Sequence, residues 1–307
     1  MRKYSFIMPA YKAKYLKEAI NSILAQTFND FELIIVNDAS PEPIEDIVRN
    51  YEDSRIQYYK NEFNIGGSNL TAQWNKCLSY AKGEYVILAT DDDVYDTNYL
   101  LKMDQLVCKY QECDAFRPQV MIVDDKLNIK DIDGYMPEFC DKTVFLYYFL
   151  KRHINTGIGF WIFRRSRLLK NGGYYEMPLA WCSDDITAIV MAENGVCFYP
   201  QPLYRFRHSG ESISTKRNSS IELKKKLCAM QLFRKQIHKE IYRLNKNKFE
   251  YPFDHAFQNL YSGGVRELLD NTTKKGLWQS WKEIVSVDGM NKREMIIRML
   301  YCFLRWR

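Results

Sequence analysis

Three consecutive carboxylates, Asp91-Asp92-Asp93, directly follow an apolar run from Tyr85 to Ala89. Adjacent carboxylates repel one another, which favours protonation or unfolding unless a cation neutralises them. Hard divalent ions take oxygen ligands, and Mg²⁺ or Mn²⁺ commonly binds through one or two carboxylates plus substrate phosphates. A solvated acidic turn that caps a helix is the competing explanation, and the triplet alone does not separate the two. Asp38, in Asn37-Asp38-Ala39-Ser40-Pro41, follows a second apolar run. Its carboxylate either caps the next helix or accepts from a planar base such as uracil N3–H. Asp184-Asp185, in Trp181-Cys182-Ser183-Asp184-Asp185, stands ahead of a helical pattern. A carboxylate there can act as general base for an acceptor hydroxyl or as a cap favoured by the helix dipole. His208 lies in Tyr204-Arg205-Phe206-Arg207-His208-Ser209. Its imidazole can ligate a metal and Arg205 or Arg207 can neutralise a diphosphate, with a surface histidine as the plainer alternative. Gly66-Gly67 lets backbone approach a phosphate, but there is no GK[ST] ending, and no GxGxxG follows the first strand.

The elements that must position these residues alternate. Residues 4–8 read as a strand, 16–24 as a helix, 31–36 as a strand and 44–51 as a short helix. A strand at 56–59, a helix at 70–81 and a strand at 85–89 follow. Strand–helix alternation with short connections predicts an α/β fold, a mostly parallel sheet flanked by helices. In such sheets ligands bind beyond the carboxyl ends of the strands, and Asp38 and Asp91–Asp93 both fall there. Residues 115–214 are mixed, with strands expected at 116–123, 159–163 and 195–199 and a helix at 186–192. From 215 the pattern becomes helical, with basic amphipathic stretches at 221–244 and 254–269.

The chain has 307 residues, which suggests about two domains, or one large domain with an appendage. With 46% hydrophobic and 15% aromatic residues, disorder, collagen and a short disulfide scaffold are excluded. The net charge of +6 hides an asymmetry. Residues 1–214 carry 24 Lys/Arg and 29 Asp/Glu, whereas residues 215–307 carry 20 Lys/Arg and 9 Asp/Glu. The first part, at −5, suits a metal, and the second, at +11, suits phosphates or an anionic surface. None of the 8 cysteines forms a CxxC pair, and Met1 to Pro9 lacks the pattern of a signal peptide. The expectation is a cytoplasmic protein with reduced thiols and no membrane-spanning helix.

In order along the chain stand Pro9-Ala10-Tyr11, Gln26-Thr27-Phe28, Asn37-Asp38-Ala39-Ser40 and Gly83-Glu84-Tyr85-Val86 leading into Asp91-Asp92-Asp93. This joint pattern, over about residues 3–214, resembles the family 2 nucleotide-sugar glycosyltransferases of bacterial polysaccharide biosynthesis, which have the GT-A fold. The resemblance implies a catalytic domain over 1–214, with a nucleotide-sugar half to about 115 and an acceptor half over about 116–214. Residues 215–307 lie outside it, as a helical basic region. Pro9 and Tyr11 would line the nucleoside pocket, Asp38 would bind uracil, and Asp91 would belong to the nucleotide site. Asp92 would be the direct ligand of Mn²⁺ or Mg²⁺, with His208 beside the diphosphate and metal and Asp93 as a weaker ligand. Asp185 would deprotonate the acceptor. The sequence departs from the family in three places. Thr90 replaces the first acid of Asp-x-Asp-Asp, Asp184-Asp185 replaces Glu-Asp, and Gln73-Trp74-Asn75 replaces Ala-Arg-Asn.

The resemblance implies a metal-dependent, inverting single displacement from a UDP-sugar to a hydroxyl of a glycan or lipid-diphosphate-linked acceptor, building a surface polysaccharide such as a capsule or O-antigen. An inactive nucleotide-sugar-binding scaffold and a sugar nucleotidyltransferase are the alternatives, although the glycine-rich entry loop expected of the latter is replaced by Pro9-Ala10-Tyr11-Lys12-Ala13. For residues 215–307, docking on an anionic membrane at the inner face of the plasma membrane competes with a helical cap whose basic face is solvated. Lys224-Lys225-Lys226 and Arg293–Arg307 are the candidates for docking. No nucleic-acid module is visible.

Overall fold

A computed structural model describes residues 2–208, 216–245 and 252–305. The chain divides into two compact units. The first takes the residues up to Phe149, then His153–Glu176 and Ser183–His208. The second takes Leu150–Arg152, Met177–Cys182 and the chain after His208.

In the first unit, β1 (Tyr4–Ala10), β2 (Phe31–Asn37), β3 (Ile56–Lys60) and β4 (Tyr85–Leu88) run parallel in the order β3-β2-β1-β4. Parallel strands are covered on both faces, so they read as continuous apolar runs rather than alternating ones. All seven residues of β2 are buried, which is why Phe-Glu-Leu-Ile-Ile-Val is so legible. The intervening helices α1 (Leu16–Leu24), α2 (Ile44–Arg49) and α3 (Leu70–Tyr80) match their expected positions. In α1 Leu16, Ala19, Ile20 and Ile23 turn inward at helical spacing. Asn69 caps α3 by accepting from the Ala72 amide at 3.0 Å.

Beyond β4 the sheet becomes mixed. The two-residue β5 (Val94–Tyr95) precedes α4 (Tyr99–Lys109), a helix the sequence reading did not single out. Then come β6 (Ala115–Val123), β7 (Ile129–Ile132), β8 (Phe139–Cys140), α5 (Lys142–Leu150), β9 (Ile162–Arg164) and α6 (Arg165–Lys170). The unit ends with α7 (Ser183–Met191) and β10 (Val196–Arg207). The three-residue β9 wedges antiparallel between β4 and β6, and β10 runs parallel to β6. β10 is 12 residues long, although Pro200 and Pro202 suggest a stop after Tyr199. Register shifts between Tyr199 and Tyr204 absorb the prolines and let the strand continue. Its far end therefore reaches the same rim as β4.

The second unit is helical: α8 (Ser220–Asn245), α9 (Phe253–Asp270), α10 (Lys274–Gln279), α11 (Trp281–Val285) and α12 (Lys292–Arg305). Leu227, Met230 and Phe233 of α8 and Phe257, Tyr261 and Val265 of α9 are buried, with the Phe233 and Phe257 rings 6.1 Å apart. The lysine run at 224–226 is not a free basic patch. Lys226 is buried with its ammonium 4.2 Å from the Trp181 ring, and Lys224 pairs with Glu283 at 2.8 Å. No described helix is long and apolar enough to cross a membrane.

Candidate active site

The acidic triplet leaves β4 as a sharp turn in which each carboxylate has a different fate. The Asp91 side chain accepts from the backbone amides of Tyr11 at 2.9 Å and Lys12 at 2.8 Å. It thereby ties the loop after β1 to the end of β4. Burial, then the neighbouring Asp92 charge, pushes the Asp91 carboxyl up to about 6. Asp93 turns inward and is only 1% exposed. It accepts from the Thr90 hydroxyl, the Tyr204 hydroxyl and the Arg207 amide, at 2.5, 2.5 and 2.6 Å. Burial and Asp92 push its carboxyl up to about 7. The Tyr204 and Arg207 bonds fasten β10 to the triplet and the Thr90 bond closes the turn, so the Asp93 carboxylate is engaged by protein donors. Between them Asp92 is partly exposed and bonds to the Thr90 side chain. Burial raises its carboxyl too, while the Lys12 and Arg207 charges pull it down.

Arg207 is not a free diphosphate ligand either. Its guanidinium donates to the carbonyls of Asp92 at 2.7 Å and Asp125 at 2.6 Å. It also pairs with Glu18 at 2.5 Å and lies 4.0 Å from the centre of the Tyr15 ring. Every arm is engaged, and the residue is 2% exposed. Its function is to hold the Asp91–Asp93 turn against α1 and β10. Arg205 is only partly buried. His208 follows directly, exposed, its amide donating to the Val123 carbonyl at 2.8 Å.

Asp38 sits at the end of β2 and is buried. Its carboxylate accepts from Asn61 Nδ2 at 2.7 Å, the Ile65 amide at 2.8 Å and the Gly66 amide at 2.7 Å. A Cβ at position 66 would lie 2.8 Å from Asp38 Oδ2, so glycine permits this approach. Asp38 therefore organises the 64–66 loop instead of capping α2, and one lone-pair position of a carboxylate's four remains. Gln73 Oε1 accepts from the same Asn61 amide at 2.8 Å. Asn75 exchanges hydrogen bonds with the Tyr174 backbone at 2.8 and 3.2 Å. Pro9 is half-buried at the end of β1, and Tyr11 is 42% exposed beside it.

Gln26 has a structural reason. Its side-chain amide donates to the Asp96 carbonyl at 2.7 Å and accepts from the Leu100 amide at 2.8 Å, clamping the segment after the triplet onto α1. Gly159 has another. A Cβ there would run into the Tyr204 hydroxyl that reaches Asp93.

Asp184 and Asp185 lie inside the first turn of α7, not ahead of it, because the helix begins at Ser183. Asp184 Oδ1 accepts from the Asp185 amide at 3.0 Å. Burial, with the Asp185 charge beside it, pushes the Asp184 carboxyl well above the ordinary carboxylate range. Asp185 accepts a hydrogen bond from the Thr156 hydroxyl. Thr156 and Glu18 have no role in the sequence reading, since a lone hydroxyl or a helix-surface Glu carries no spacing signal; Thr90 and Tyr204 stand in its motifs, but not as partners of Asp93.

Among the described residues, no group of three or more His, Cys, Asp and Glu side chains forms a ready metal cage. The donor set nonetheless fits a hard divalent ion bound mainly through substrate. Asp92 offers partly exposed carboxylate oxygen beside the Thr90 side chain and its own backbone amide, and Mg²⁺ or Mn²⁺ ordinarily completes its shell with phosphates and water.

The family model for glycosyl transferase family 2 matches residues 5–168. An uncharacterised glycosyltransferase of Methanocaldococcus jannaschii is 32% identical over 177 residues, covering 56% of this chain and 59% of that protein. WfgD of Escherichia coli, a UDP-Glc:α-D-GlcNAc-diphosphoundecaprenol β-1,3-glucosyltransferase, is 33% identical over 97 residues, covering 31% of this chain and 37% of its own. The chain thus spans at most 59% of the length of these curated relatives. Among solved structures, S. aureus TarS 1–349 in complex with UDP-GlcNAc matches with a TM-score of 0.67 at 16% identity, covering 98% of this chain and 89% of that one. The mannosyltransferase PcManGT from Pyrobaculum calidifontis, in complex with GDP-Man and Mn²⁺, matches at 0.52 and 16% identity, covering 100% and 82%. At these identities the structures share the fold, the GT-A arrangement of a mixed sheet flanked by helices. With the family model covering more than half of its length, the chain belongs to glycosyltransferase family 2.

Proposed function

We propose that the chain is a metal-dependent, inverting glycosyltransferase that moves a sugar from a UDP-sugar to a hydroxyl of a glycan or lipid-diphosphate-linked glycan, in surface polysaccharide synthesis. The observation that carries this reading is Asp92, a partly exposed acid between two neighbours already bonded to protein amides. The donor and acceptor classes are supported by the UDP-GlcNAc complex of TarS and the lipid-linked acceptor of WfgD. We place the reaction on the cytoplasmic side, with the catalytic domain over 1–214.

When bound, Mn²⁺ or Mg²⁺ on Asp92, His208 and the diphosphate oxygens supplies positive charge against that developing on the leaving UDP. Asp91 fixes the loop on which Tyr11 sits, and Pro9 and Tyr11 line the nucleoside. The remaining lone pair of Asp38 accepts from uracil N3–H. Arg205 faces the diphosphate. Asp185 takes the proton of the acceptor hydroxyl while that oxygen attacks the anomeric carbon from the side opposite UDP. The anomeric carbon–phosphate oxygen bond breaks as the new glycosidic bond forms, so configuration inverts and no enzyme nucleophile is needed.

The test incubates the chain with UDP-Glc or UDP-GlcNAc, Mn²⁺ and a GlcNAc-diphosphoryl lipid, and reads the product by NMR. The expected product is a β-linked glycoside from the α-configured donor. Transfer from GDP-sugars alone would overturn the donor assignment, and retained configuration would overturn the role of Asp185.

A further inference from the structure

In the second unit, α12 packs against α9, α10 and α11. Met295 and Cys302 are buried there, at 0% and 2% exposure. Its other apolar residues are not. Ile296, Ile297, Leu300, Tyr301, Phe303 and Leu304 are all exposed, from 40% at Phe303 to 76% at Leu304. At 3.6 residues per turn, the six fall in one continuous arc of about 160°. A helix of a globular domain buries such an arc, and a contiguous exposed one marks an interaction surface.

The surroundings of the arc identify what covers it. Lys274 of α10 sits 5.4 Å from the Phe303 ring at one edge. Arg298, ion-paired with Asp270, lies 5.3 Å from the Tyr301 ring at the other. Lys292 and Arg293 are exposed in the first turn. Trp278, 69% exposed, stands one turn beyond Lys274 on α10. An apolar stripe rimmed by Lys and Arg, with an exposed indole nearby, is the composition of a helix that lies in a membrane interface. Two copies packed stripe to stripe would bring like-charged rims together, whereas anionic headgroups would neutralise them. The charge of the region agrees, with 20 Lys/Arg against 9 Asp/Glu over residues 215–307.

We propose that the exposed arc of α12, with the Lys274–Trp278 side of α10, docks on an anionic lipid bilayer, the apolar side chains entering the acyl boundary and the basic rim meeting the headgroups. The proposal is independent of the transfer reading, because binding to a vesicle requires neither donor nor acceptor.

The experiment is co-sedimentation of the full chain with phosphatidylcholine vesicles, with and without roughly 30 mol % phosphatidylglycerol, at salt from about 0.05 to 0.5 M. The expected result is binding to the anionic vesicles that weakens as salt rises. The triple substitution Ile297→Ser, Leu300→Ser and Leu304→Ser should weaken partitioning by about tenfold or more. A second variant, Lys292→Glu with Arg293→Glu, should weaken binding at low salt and flatten the salt dependence, so a folding defect in the first leaves the test intact. Absence of binding at low salt, or equal binding by wild type and both variants, would overturn the proposal. So would a dimer in analytical ultracentrifugation that the serine triple makes monomeric, since the arc would then be a contact between copies.

Discussion

The rim of the sheet and the start of α7 solve one electrostatic problem in two ways. Each places carboxylates side by side and buries them: at the rim all three carboxyls are pushed up and the outer two are bonded to protein, and on α7 Asp184 is pushed up and bonded to the next amide. At the rim Asp93 is fastened by two hydroxyls and an amide, and Asp91 by two amides, so that three chain segments converge on Asp92. On α7 the Asp185 amide meets Asp184 and the Thr156 hydroxyl meets Asp185. The rim is an assembly point whose acids hold strands together. At the helix start the bonds run within one turn of α7 and to Thr156, and no strand is tied there. Substitutions in the two places should therefore fail differently.

The sharpest separation comes from Asp185→Asn. Loss of the base should lower kcat by about 10²- to 10⁴-fold while donor affinity stays at the wild-type value, read by steady-state kinetics and calorimetry. Arg207→Met should do the opposite, because it strips three polar contacts from the rim. A loss of roughly 2–4 kcal/mol follows from removing the hydrogen bonds of a buried guanidinium, seen as a melting temperature lower by about 4–16 °C. If Arg207→Met instead kept its stability and lost only donor affinity, the rim would be a ligand site and not an assembly point.

Much of this was legible. The parallel strands β1 to β4 stand out because both faces are buried, and the acids at their ends follow from the strand boundaries. The second half was harder to read. β9 is three residues long, and β10 passes through two prolines by shifting register, which periodicity reads as a stop. The individual roles within Asp91–Asp93 were not legible at all, since adjacent residues on a turn point in different directions and only the fold decides which meets Tyr204. Lys226 likewise looks solvated in a lysine run, yet its stem and ammonium lie against Trp181.

Smaller effects refine the α7 side. Thr156→Val removes the hydroxyl that orients Asp185 and should lower kcat about tenfold, with donor binding unchanged. The smallest effect is that of Asp184→Asn. Because the folded chain holds the Asp184 proton well above 3.8, the unfolded chain releases it first as pH rises, and wild-type stability declines from there. The asparagine variant has no such proton to lose. Its melting temperature should exceed that of wild type near neutral pH, with the difference vanishing near pH 3, where both states are protonated. A difference independent of pH would mean that Asp184 is ionised in the folded chain.

The most direct measurement is calorimetric titration of UDP into wild type, Asp92→Ala and Asp185→Asn, with Mn²⁺ and after chelation. The account predicts binding that needs the ion in wild type and in Asp185→Asn, and its loss in Asp92→Ala. Ion-dependent binding by Asp92→Ala with wild-type affinity would contradict it, because the partly exposed acid between its two more deeply committed neighbours would then not be the one that works.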